Sequence, residues 1–106
     1  MSGRIVIVGY HPKPGKEKEL DTLTRKHYSL LKGADLVSDR TPIIMKAKNG
    51  TVVEVFEWKS DAAIEQAHTH PVVLKLWEEY AAVCEYVPVG GLEEMGNLFS
   101  TFTPFE

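Results

Sequence analysis

The stretch from Thr41 to Trp58 constrains this chain more than any other, because two β-rich runs flank Asn49-Gly50. Asn-Gly is the strongest short hairpin signal, since both central residues of a type I′ turn take positive φ. The pattern predicts strands over Thr41–Lys48 and Thr51–Trp58 joined by a two-residue turn. In that register Lys48 pairs with Thr51, which sets Met45 opposite Glu54, Ile44 opposite Val55, Ile43 opposite Phe56 and Pro42 opposite Glu57. One face then carries Ile43, Met45, Ala47, Val52, Glu54, Phe56 and Trp58, and the other Ile44, Lys46, Val53, Val55 and Glu57. Both faces are largely apolar, so both require cover.

The flanking segments supply the partners. Residues 4–10 are β-rich and end at Pro12-Lys13-Pro14-Gly15, where the prolines withhold backbone donors. From Lys16 to Lys32, Leu20, Leu23, Leu30 and Leu31 recur at helical spacing, with Glu17 and Glu19 in the first turn and Gly33 placed to cap the end. His27 lies four residues after Leu23 and three before Leu30, so it faces whatever the leucines face. Ser60 or Asp61 can cap a helix bearing Ala63, Ile64, Ala67 and His68, and Pro71 opens a second helical piece with Val72, Val73, Leu76, Trp77, Tyr80 and Ala81 inward. A last strand is expected over Cys84–Val89, followed by a tail whose Leu92, Met95, Leu98, Phe99, Phe102 and Phe105 need a surface of this subunit or a neighbour.

The resulting order, β-α-β-β-α-β, is the ferredoxin-like split βαβ arrangement: an α+β fold with a four-stranded antiparallel sheet and helices on one face. At 106 residues it fills a single domain, residues 1–106. The uncovered face implies a homodimer formed through the sheet. A net charge of −3 with interleaved signs provides no basic footprint, so nucleic acid and anionic membranes are not expected partners. The apolar run Ile5–Tyr10 is far shorter than the ~18 residues of a membrane span and has no cleavage site, and the one cysteine, Cys84, fits a reducing compartment; the expected location is the cytoplasm. Asn49-Gly50-Thr51 matches a glycosylation pattern but reads here as turn chemistry.

With these elements in place, the chain resembles the dimeric α+β barrel superfamily, in particular its antibiotic-biosynthesis-monooxygenase-like branch. The resemblance rests on the opening strand with its Pro-Gly break, on Val53-Glu54-Val55-Phe56-Glu57-Trp58-Lys59-Ser60-Asp61, and on Ala67-His68-Thr69-His70-Pro71. Tyr80 to Val89 is similar to a small subgroup of uncharacterised bacterial members. The Glu-aromatic strand end, acidic helix start and late helical His of that branch fall here at Glu57, Asp61 and His68. The Asn, Trp and His of its haem-degrading members fall at Val8, Ala67 and Trp77, which speaks against haem degradation. The resemblance implies paired subunits and, where there is a reaction, cofactor-independent monooxygenation.

Four residues are candidates for acid-base work. His68 and His27 come from different helices and both face the sheet, so they are expected to flank one cavity; each also reads as a core histidine bonded to backbone. Glu54 is the odd carboxylate on an apolar face, and Glu57 is similar but nearer the strand end; pairing with Lys or Arg is the plainer account of both. Trp58, Trp77, Tyr80 and Tyr86 are candidates for an aromatic-substrate pocket, or ordinary core. His68 and His70 stand two apart, about 200° around a helix, and no sulfur pair accompanies them, so no metal is expected. There is no phosphate loop, nucleophile elbow or Cys-x-x-Cys, and no cofactor is expected. The functional expectation is a small homodimer that binds a hydrophobic or aromatic small molecule and oxidises it without a cofactor. A non-catalytic binding or structural dimer, and an isomerase or decarboxylase using the same pocket, stand beside it.

Overall fold

A computed structural model describes residues 3–105. It is an α+β fold with a five-stranded antiparallel sheet and three helices. The strands are β1 (Arg4–Pro12), β2 (Ile43–Lys46), β3 (Val52–Trp58), β4 (Cys84–Val87) and β5 (Thr103–Pro104), in spatial order β4-β1-β3-β2-β5. The helices are α1 (Glu17–Gly33), α2 (Asp61–Ala67) and α3 (Pro71–Val83). The expected count of four strands is corrected to five: after two short 3-10 turns at Val89–Gly91 and Glu93–Gly96, the tail returns and adds β5 to the free edge of β2. The Phe105 amide donates to the Ile44 carbonyl, so the edge finds donors within its own chain.

The hairpin forms in a different register from the expected one. Met45 pairs with Val53, Ile44 with Glu54 and Ile43 with Val55, one residue away from the two-residue-turn pairing. The connection is a three-residue loop, Lys48-Asn49-Gly50, closed by the Ala47 amide donating to the Thr51 carbonyl and the Gly50 amide donating to the Ala47 carbonyl. Gly50 alone in this loop takes positive φ (92°), and the Asn49 side-chain oxygen accepts from the Thr51 amide. That is a turn followed by a left-handed glycine. Because side chains alternate with period two, the slip moves β2 to the opposite faces: Ile44 and Lys46 share the face of Val52, Glu54, Phe56 and Trp58, while Ile43, Met45 and Ala47 share that of Val53, Val55 and Glu57.

Helix ends show a second correction. Gly33 lies within α1, Ala34 caps it, and Asp35 takes the left-handed conformation (φ 61°), with the Leu36 amide donating to the Leu31 carbonyl. Aspartate tolerates this region better than most residues, so the chain turns without a glycine there. The α2 start follows expectation, as the Ser60 hydroxyl accepts from the Ala63 amide. At α3, the His70 ring nitrogen accepts from the Val72 amide ahead of Pro71, which has no amide to satisfy.

The main core lies between the helices and one sheet face, where Tyr10, Val52, Phe56 and Trp58 meet Leu20, Leu23 and Leu31 of α1, Ala63 and Ala67 of α2, and Val73, Leu76 and Tyr80 of α3. The opposite face is covered over half its length. Leu92, with Val89 and Phe102, packs on Val53, Ala47 and Met45. Gly9 permits the close approach of β4 to β1: a Cβ there would stand 2.6 Å from the Val87 carbonyl oxygen. Among the described residues, no helix is long and apolar enough to cross a membrane.

Candidate functional site

β1 and β3 pair antiparallel with Tyr10 opposite Val52 and Val8 opposite Glu54. This places Val6, Val8, Tyr10, Glu54 and Phe56 on the helix-facing side of the sheet. α1 crosses above and lowers His27 onto the same patch. The three polar side chains converge. The Tyr10 hydroxyl donates to Glu54 Oε1 at 2.8 Å, and His27 Nδ1 stands 2.9 Å from Oε1 and 3.2 Å from Oε2. All three are buried, and Glu54 has no exposed surface at all.

A carboxylate in apolar surroundings is costly unless donors satisfy it, and here a phenol and an imidazole do so. Burial, then the neighbouring Glu54 charge, pushes the Tyr10 hydroxyl well above its ordinary pKa, so Tyr10 serves as a donor. An ionised carboxylate only accepts, so with Glu54 in that form the hydrogen between the two groups is carried on His27 Nδ1.

A cavity of about 400 Å³ opens beside this cluster, lined by Val6, Val8, Tyr10, His27, Phe56, Trp58, Trp77 and Tyr86. Among the described residues no buried side-chain nitrogen or oxygen lacks a partner, and Nδ1 is the nitrogen through which the cavity-lining His27 meets Glu54. The walls are aromatic and aliphatic. Tyr80 lies behind them, stacked on Tyr10 with ring centroids 4.5 Å apart, and its hydroxyl approaches Thr24 Oγ1 at 3.4 Å. Burial raises the Tyr80 hydroxyl, and raises Tyr86 to about 12, so both remain neutral phenols. A slightly larger depression of about 440 Å³ between α1 and α3 is rimmed by Lys18, Glu19, Lys26 and Glu79. It holds no buried polar group, so it is the weaker candidate.

The structure therefore brings together His27, Glu54, Trp58, Trp77 and Tyr86, and sets Tyr80 one layer behind. His68 and Glu57 stand elsewhere. His68 is exposed at the end of α2, its Nδ1 2.8 Å from the Ile64 carbonyl oxygen, and it touches the cavity only indirectly, edge-on to Trp77 at 5.3 Å. Of the two histidines, His27 alone lines the cavity. Glu57 lies on the opposite sheet face, where the Ser38 hydroxyl and then Arg40 hold its carboxyl below the usual range. Cys84 is buried, which raises its thiol to about 11. No group of three His, Cys, Asp or Glu among the described residues is arranged to hold a metal.

Tyr10 and Val8 are site residues that strand reading alone leaves unmarked. The available signal was the alternation Val6, Val8, Tyr10 on one face, but its meaning depends on the β1–β3 register. No family model, curated protein or solved structure matches this chain.

Proposed function

We propose that the cavity between helices and sheet binds an aromatic or hydrophobic small molecule and that His27 acts as its base. The fold is then read as ferredoxin-like, with subunits paired through the open sheet face as in the dimeric α+β barrel proteins that the sequence resembles. The observation that carries this reading is His27 itself: its Nδ1 is held by a fully buried carboxylate, and its ring lines an apolar cavity. A proton taken by Nε2 leaves imidazolium beside Glu54, so the charge that forms is matched where it forms.

The reaction best suited to this arrangement is cofactor-independent monooxygenation of an electron-rich phenol or enol. For a phenol, the O–H proton passes to His27, the anion reduces dioxygen, and one oxygen atom bonds to a ring carbon that loses its hydrogen. Phenol and dioxygen become quinone and water, which balances atoms and electrons. The protein contributes desolvation, orientation and the base.

Both tryptophans of the chain, Trp58 and Trp77, line the cavity, so intrinsic fluorescence reports on its contents. Titration with a planar phenol such as a naphthol is expected to quench that emission saturably, and His27→Gln to abolish dioxygen uptake with the same compound. Absence of saturable quenching by any aromatic probe would overturn the reading. Quenching by naphthol without dioxygen uptake would instead favour a binding protein.

A further inference from the structure

Half of the sheet face opposite the helices is bare. Its rows run through Ile5 and Glu57, then through Ile7, Val55 and Ile43, and these isoleucines are 60%, 52% and 59% exposed. The other half lies under the chain's own tail, anchored by Leu92 and Phe102 on Val53, Met45 and Ala47. Between those anchors the tail projects a loop whose Met95, Leu98 and Phe99 are 42%, 92% and 81% exposed. The loop is held at both ends. Glu94 accepts from the Lys48 amide at 2.8 Å on one side, and β5 pairs with β2 on the other. One chain thus carries two apolar surfaces, and neither covers the other.

We infer that the loop around Leu98-Phe99 docks on the bare half-sheet of a second copy of this chain, and that the second copy's loop docks in return. This rests on the sheet-face pairing proposed above and names the segment that completes it. A two-fold axis lying in the interface plane, along the boundary between the covered and bare halves, sets each covered half against the other's bare half. The area agrees with that occupant. At ~200 Å² for a large apolar side chain, the six exposed residues present roughly 770 Å². A monomer rarely leaves so much apolar surface to water, and a standard interface takes ~800 Å² from each partner.

The test is light scattering after gel filtration, over a dilution series, with Phe99→Glu and Ile7→Glu. Both substitutions fall on exposed side chains, and circular dichroism with thermal unfolding verifies that each variant is folded. A dimer that either variant weakens at least 100-fold is expected. In addition, a Phe99→Cys chain mixed with an Ile7→Cys chain under oxidation is expected to form a disulfide-linked dimer that neither forms as readily alone; Cys84 is buried and does not compete. A dimer lost in Ile7→Glu but unchanged in Phe99→Glu, with no mixed cross-link, overturns the loop's role and leaves sheet pairing standing. A folded monomer at micromolar concentration overturns both.

Discussion

Tyr10 Oη and His27 Nδ1 converge on a single atom, Glu54 Oε1, at 2.8 and 2.9 Å. Three elements, β1, α1 and β3, are pinned at that oxygen. Removing the carboxylate strands two buried donors, so Glu54→Ala is expected to cost about 3–5 kcal/mol, whereas Tyr10→Phe removes one charge-assisted bond and costs about 1.5–3 kcal/mol. Urea unfolding monitored by circular dichroism measures both. Equal losses would mean that His27 contributes nothing to holding Glu54.

Filling the cavity separates binding from folding. Val8 is half-buried on the cavity wall, and Val8→Phe adds a ring where there is space. The expected result is at least a tenfold loss of naphthol affinity with stability within about 1 kcal/mol of wild type. Undiminished quenching would place the ligand elsewhere.

The turn has one conformationally demanding position. Gly50 has φ 92°, so Gly50→Val is expected to destabilise by roughly 1 kcal/mol or more, and Asn49→Ala by about 1 kcal/mol through loss of its bond to the Thr51 amide. Chemical denaturation reads both. A fully stable Gly50→Val would exclude this loop geometry.

Gly33 behaves as a helical residue, not a cap. Nothing lies within 4 Å of a Cβ placed there, and Asp35 takes the left-handed position. Gly33→Ala is therefore expected to stabilise by ~0.5–1 kcal/mol, and Asp35→Val to destabilise. A melting temperature lowered by Gly33→Ala would restore the glycine-cap reading.

Acid is expected to release the tail. The Lys48 amide, and then its own, hold the Glu94 carboxyl below the ordinary carboxylate range. A depressed folded pKa gives stability that is complete above the unfolded value and is lost as pH falls through the folded one. Hydrogen exchange at the Lys48 amide should quicken as pH drops below ~4.3 beyond the intrinsic pH trend, and Glu94→Gln should remove most of that excess. Identical profiles for the two proteins would exclude Glu94 as the latch.

Periodicity and punctuation in the sequence determined the helices, the first four strands and their order. The leucine spacing of α1, Ser60 before α2 and Pro71 opening α3 are local signals, read within a few residues, and helices form where they stand, although β1 runs on to Pro12 and Leu30 of the stripe is exposed. What tertiary structure decided depends on pairings across the chain. The choice between a two-residue and a three-residue loop around Asn49-Gly50 moves every β2 side chain to the other face, and in the observed register Ile44 packs into the core beneath the helices while Met45 packs with Leu92 and Phe102 of the tail. The Glu54 partners could not be read locally either, since residues 10, 27 and 54 meet only once β1 has paired with β3 beneath α1. The same holds for β5. A two-residue strand has no periodicity to detect, and it forms because an unpaired edge of β2 lies within reach of the tail.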